Sequence, residues 1–146
     1  MRKHSAKRQG DITEIKAVSL LLDKGYEVKC VDNFHKGQCD AIIPLATNPR
    51  FEFEYGDVTV LEQMKEAVRG CDAIIHLAAI VGFPACKSQP ALATEVNVEG
   101  TRNMLFARES YNPKMPFVCV HRKRLRQSRR GLHRRVPVKR CVSLRR

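Results

Sequence analysis

The chain has no run of eighteen apolar residues, so nothing in it reads as a membrane span. Its basic start, MRKHSAKRQG, has no apolar stretch behind it. That argues against a secretory signal and makes the cytoplasm the default compartment. No CxxC pair occurs: Cys30, Cys39, Cys71, Cys86, Cys119 and Cys141 are scattered, several in or just before expected strands. They read as small reduced core residues, and neither a metal site nor a disulfide framework is expected. Internal repeats are also missing. With 146 residues the chain is one domain at most, short for an enzyme with a separate substrate domain.

Acidic residues are missing from one end. His121 to Arg146 holds 12 Lys and Arg and no Asp or Glu, whereas residues 1–120 hold 15 basic and 15 acidic side chains. The net charge of +12 therefore belongs to the tail and says nothing about the domain's partners. The tail has no aromatic residue to stack on bases and no zinc-ligand spacing. Non-specific, salt-sensitive phosphate binding is the alternative function it offers. The expectation is a disordered, self-repelling tail over 121–146, with nucleic acid not the main partner.

What is present is an alternation of strands and helices. Asp11 to Lys24 keeps helical apolar spacing, with Asp11 and Glu14 as a capping pair and Gly25 as the stop. Tyr26 to Val31 reads as a strand ending at Asp32-Asn33, and Phe34 to Asn48 as a loop. Phe51 to Tyr55 is a strand, and Thr59 to Arg69 a helix closed by Gly70. Asp72 to Thr101 is the stretch the rest is arranged around. Ala73, Ile74 and Ile75 lead into His76-Leu77-Ala78-Ala79, a loop with Gly82, Pro84 and Pro90, and a helix from about Ala91 to Tyr111. Phe117 to Val120 is a last apolar run. The order implies a doubly wound parallel sheet over 11–120, with ligands at the carboxyl ends of its strands.

Several strand-end residues suit a nucleotide. Asp32 can accept both hydroxyls of an adenosine ribose and would repel a 2′-phosphate, favouring NAD over NADP; equally, Asp-Asn is common turn chemistry. Asp57 beside Val58 suits an adenine edge and face, but Asp57 or Thr59 can simply cap the next helix. Leu77, Ala78 and Ala79 are small enough in sum to let backbone approach a flat ligand, and His76 reads as a packed strand-end histidine. Asn97 and Gly100 are costly inside a helix, glycine by about 1 kcal/mol against alanine. They signal close backbone packing with a polar contact, or a local kink.

Taken in order, KGYEVKCVDN, FEFEYGDV, DAIIHLAAIVG and EVNVEGTRNML resemble the extended short-chain dehydrogenase/reductase family over about residues 17–120. Within it the likeness is to the NAD-dependent epimerases and dehydratases of nucleotide sugars, of the UDP-glucose 4-epimerase type. The resemblance implies NAD as cofactor and a nucleotide sugar as partner. It implies Asp32 and Asn33 at the adenosine ribose, and Asp57 and Val58 at the adenine. Leu77, Ala78 and Ala79 would line the cofactor, with Asn97 nearby. Because family members pair through such helices, a regulatory fragment that pairs with an intact homologue through the Ala91–Tyr111 helix is a further alternative, and a homodimer a further expectation.

The chain departs from that pattern at both ends. The family opens with an apolar strand and a GxxGxxG turn that binds pyrophosphate; here a polar stretch with Gly10 alone precedes the helix. The missing strand would be central, leaving the strands at Tyr26 and Asp72 with unpaired edges. The family's Tyr-x-x-x-Lys pair is not found either: Tyr26, Tyr55 and Tyr111 are followed four residues on by Cys30, Thr59 and Met115. No catalytic residue is named, and the chain by itself is expected to be inactive. HRKRLR can be encoded so that a one-base shift reads TGSVYG, like the family's next block. The expectation is a frameshifted reading from His121 onward in a partial Rossmann domain with a basic, irregular tail.

Overall fold

The computed structural model describes residues 6–35, 40, 42–119 and 141–145, with side chains for those between 15 and 119. The order is α1 (Ala6–Asp23), β1 (Glu27–Asp32), β2 (Phe51–Tyr55), α2 (Leu61–Val68), β3 (Ala73–His76), α3 (Phe83–Ser88), α4 (Pro90–Thr94), α5 (Gly100–Tyr111), β4 (Phe117–Cys119) and β5 (Cys141–Arg145). A 3-10 turn at Ile43–Leu45 follows β1, and a π-helical turn at Glu95–Glu99 joins α4 to α5.

Helix α1 begins before the expected Asp11, so Asp11 lies inside it and the Asp11/Glu14 capping pair is not at its start. Ala6, Lys7, Arg8 and Gln9 are good helix formers, which lets the helix run further back than its apolar pattern. Its end matches the sequence reading. Gly25 takes φ +88°. Its N–H bonds to the Leu22 carbonyl and that of Tyr26 to the Leu21 carbonyl, closing the helix in a Schellman turn.

The sheet runs β2-β1-β5-β3-β4. β1 pairs parallel with β2, from Val28 opposite Phe51 to Asp32 opposite Tyr55, and β3 pairs parallel with β4. β5 lies between β1 and β3 and is antiparallel to both. This corrects two expectations. The β1 and β3 edges facing the central gap are paired, and the tail is not irregular throughout, since Cys141–Arg145 is a strand. The physical reason is that two facing rows of backbone N–H and C=O groups are a template that a short extended segment satisfies on both sides. The expected disorder of 121–140 lies outside the described residues.

Apolar layers cover both faces. On one, Val18 and Leu22 of α1 pack with Val28, Leu45, Ala73 and Ile75. On the other, Met64, Ala67 and Val68 of α2 and Met104 and Ala107 of α5 pack with Val31, Ile74 and Met115. Each fully buried Val, Leu, Ile or Met among these contributes about 1.5–3 kcal/mol, more than a typical neutral hydrogen bond at about 0.5–1.5 kcal/mol. Cys30 and Cys71 belong to this interior, but Cys119 is exposed and Cys86 half-buried, so the core reading of the cysteines holds for part of the set.

Candidate functional site

The carboxyl ends of β1, β2 and β3 open onto a cleft of about 250 Å³. Five of the residues singled out in the sequence stand in its wall: Asp32, Asn33, Asp57, Val58 and Ala78. Leu77, Ala79 and Asn97 are not in the lining. Ala79 is buried, and Asn97 faces the loop after β3.

Short polar contacts shape the wall. The Asp32 carboxylate accepts the Phe34 N–H at 2.7 Å, and the Asn33 side-chain oxygen accepts the His35 N–H at 3.0 Å. Both are the turn chemistry that competed with ribose binding in the sequence reading, and they fix the side chains where β1 ends. Phe34 takes φ 52° in this turn and stacks on Phe53 with ring centroids 5.0 Å apart. The Asn33 amide donates to Asp57 Oδ2 at 2.7 Å, tying the end of β1 to the end of β2. Asp57 Oδ1 accepts from the Thr59 backbone N–H at 2.9 Å and the Thr59 hydroxyl at 2.7 Å. Helix α2 itself starts after Val60 with no side-chain cap, so Asp57 organises the turn before the helix and does not cap it.

Burial pushes the Asp57 carboxyl up, but the Thr59 and Asn33 hydrogen bonds and the nearby His35 outweigh it, and its pKa lies below the ordinary value. Asp57 is thus a fixed anion at neutral pH.

The floor depends on α4, the π turn and α5. Asn97 Oδ1 accepts the Ile80 N–H at 2.7 Å and its Nδ2 donates to the Ile80 carbonyl at 2.8 Å. The Thr101 hydroxyl donates to the Asn97 carbonyl at 2.7 Å, so at 3.1 Å it accepts from His76 Nε2. His76 is 1% exposed, a packed strand-end histidine. A Cβ on Gly100 would stand 2.6 Å from Val58 Cγ2, so the helix backbone lies directly against a wall residue. Asn103 holds the Val58 carbonyl at 3.0 Å.

Sequence reasoning missed His35, Ile80, Leu92, Glu95 and Val96 in the lining and named Thr59 only as a helix cap. Leu92 and Val96 are four apart in sequence, a helical spacing that signals a shared face but not what that face meets. Among the described residues no group of three or more His, Cys, Asp or Glu could hold a metal ion. No helix among them is long and apolar enough to cross a membrane.

The donor set decides what the cleft suits. Its ionisable wall groups are Asp32, Asp57 and Glu95, with His35 as the basic one. Carboxylates accept hydrogen bonds from hydroxyl and amino groups and repel phosphate. The residues fit the adenosine part of a nucleotide; no glycine-rich turn or arginine among the lining residues fits its phosphates.

A model of the NAD dependent epimerase/dehydratase family matches residues 16–121. The UDP-glucose 4-epimerase of Rickettsia akari (strain Hartford) is 37% identical over 94 residues, covering 64% of this chain and 27% of that protein. A 3-beta-hydroxysteroid dehydrogenase of Mycolicibacterium neoaurum is 34% identical over 94 residues, covering 62% and 24%. The solved dTDP-glucose 4,6-dehydratase DesIV of Streptomyces venezuelae, with NAD and TYD bound, superposes with a TM-score of 0.61 at 28% identity, over 66% of this chain and 32% of that one. The chain spans about a quarter of the length of the curated relatives it matches.

Proposed function

Because the chain belongs to the NAD-dependent epimerase/dehydratase family, we propose that its cleft holds the adenosine half of NAD for a nucleotide-sugar epimerase or dehydratase. The observation that carries this reading is the Asn33–Asp57 bond of 2.7 Å, which brings the carboxylates at the ends of β1 and β2 to one cleft. Asp32 accepts the ribose hydroxyls, and Asp57 with Val58 meets the adenine. Ala78 gives the ring a low wall, with Leu77 and Ala79 beside it. Asn97 acts from behind by holding Ile80. When bound, the nicotinamide supplies hydride transfer; these residues bind and orient its far end. No tyrosine of this sequence has a lysine four residues on, so they supply no proton-transfer group of that kind, and the chain alone is not expected to turn over substrate.

Nucleotide-sugar specificity is supported by the epimerase and dehydratase relatives, while the steroid dehydrogenase marks how far the shared segment reaches beyond sugars. A cytoplasmic setting and a homodimer through the π turn and α5 belong to the same reading. For the dimer the support is the exposure of Val98, Leu105 and Phe106.

Calorimetry with NAD, NADP and ADP-ribose tests the proposal. Weak binding of NAD and ADP-ribose, weaker binding of NADP, and loss of both in Asp32→Ala are the expected results. Equal affinity for NADP, or binding untouched by Asp32→Ala, overturns it.

A further inference from the structure

Among the described residues, β5 is the strand whose pairing joins the two halves of the sheet. Residues Glu27 to Val31 of β1 pair with Arg145 to Cys141 on one side, and Ala73 to His76 of β3 pair with Leu144 to Cys141 on the other. β1 and β3 are not neighbours. Yet the halves are held across that gap from both faces. One apolar layer joins Val28 of β1 to Ala73 and Ile75 of β3 through α1, and the other joins Val31 to Ile74 through α2 and α5. The walls of the gap are therefore also held by packing that does not pass through the strand inside it.

We propose that the space between β1 and β3 is a strand-acceptor slot, with the chain's own Cys141–Arg145 segment as an exchangeable insert. Backbone pairing on both sides supplies the affinity, as in strand addition to a sheet edge but doubled. The antiparallel direction shows that the slot takes a strand opposed to its parallel neighbours. The partner it fits is an extended segment of about this length, and the occupant argued for is this segment supplied in trans when the one in cis is disabled.

The test uses the full chain. Ser143→Pro removes a ladder N–H from the middle of β5 and blocks central pairing. A labelled peptide of residues 139–146 is titrated into this variant and into the unaltered chain. The peptide is expected to bind the variant at least about tenfold more tightly, because the strand in cis competes at an effective concentration on the order of millimolar. It should also raise the variant's melting temperature towards that of the unaltered chain. No binding by a folded variant, equal binding by both chains, or a variant that melts like the unaltered chain overturns the proposal. If the variant does not fold, a second measurement decides. Val142 stands opposite Cys30 in register, and directly opposed Cα atoms lie about 4.5–5.5 Å apart, within disulfide reach. V142C in a C141S background is expected to give a disulfide-linked peptide pair containing residues 30 and 142 on mild oxidation. Failure to form that link overturns the proposal.

Discussion

The side-chain amide of Asn97 bonds to both the N–H and the carbonyl of Ile80, at 2.7 and 2.8 Å. One residue on a π-helical turn thereby fixes the loop that leaves β3. Ile80 is 1% exposed, so its N–H has no water to fall back on, while its carbonyl keeps only the weak Cys86 thiol contact at 3.5 Å. Asn97→Ala should cost about 1–3 kcal/mol of folding stability, chiefly the penalty of the buried N–H left without an acceptor. Asn97→Asp should also destabilise, because a carboxylate cannot donate to the Ile80 carbonyl. Urea denaturation of the three chains checks the order; an Asn97→Asp chain as stable as the parent contradicts it.

Gly100 gives a second prediction, in which two effects oppose each other. In an open helix, alanine would be favoured over glycine by about 1 kcal/mol. Here its Cβ would meet Val58 Cγ2 at 2.6 Å and Val58 Cβ at 3.1 Å. Overpacking costs typically about 1–3 kcal/mol, so the clash wins and Gly100→Ala should destabilise. Val58→Ala should remove the 2.6 Å contact and leave only the milder one at 3.1 Å, so the double variant should lose less than the sum of the two single ones. A double-mutant cycle by thermal melting reads this coupling.

These two residues show what the sequence made legible. Asn97 and Gly100 stood out as poor helix formers in a good helix, and a π-helical turn and a polar contact are present there, with Asn97 in the turn bonded to Ile80. The alternation of β1, β2, α2, β3 and β4 was legible because local apolar period and glycine stops specify it. β5 was not: five residues of modest pattern become a strand because β1 and β3 offer two unpaired edges, a non-local cause. The start of α1 was placed too late, since its first turns follow propensity and carry no apolar pattern. In the cleft, strand-end carboxylates were visible in sequence, whereas His35, Ile80 and Val96 join through the folding of a turn, a loop and a helix.

Asp57 predicts an acid-side effect. Its pKa in the folded chain lies below the ordinary 3.8 despite partial burial, because Thr59 and Asn33 hydrogen-bond the ionised form. A lowered folded-state pKa contributes stability that is complete above the unfolded value and is lost as pH falls through the folded one. The contribution is therefore present at neutral pH and lost below about pH 4. Asp57→Asn should be less stable than the parent at pH 7, with the gap closing towards pH 2. Melting temperatures over that range measure it, and a gap that widens on acidification contradicts it.

Lys29 makes the opposite case at the alkaline side. Its ammonium lies in β1, 3.0 Å from Glu54 and 3.4 Å from Glu52, with 9% of the side chain exposed. Burial lowers its pKa, but the hydrogen bond and charge of Glu54, followed by Glu52, more than offset this and raise it above 10.5. A raised folded-state pKa contributes stability that is complete below the unfolded value and lost as pH rises through the folded one. Stability should therefore fall above pH 10.5 in the parent and less so in Lys29→Met. At neutral pH the two ends of the pair are unequal. Removing Lys29 leaves Glu54 and Glu52, whose side chains are 31% and 55% exposed and can be hydrated. Removing Glu54 leaves a buried cation with the longer Glu52 contact alone. Glu54→Ala should thus cost more than Lys29→Met, about 2 kcal/mol against less than about 1 kcal/mol, since a buried charge left with one longer, weaker contact is the larger penalty. Urea midpoints at pH 7 decide it, and a larger loss in Lys29→Met would show that the glutamates, not the lysine, are the groups that water cannot reach.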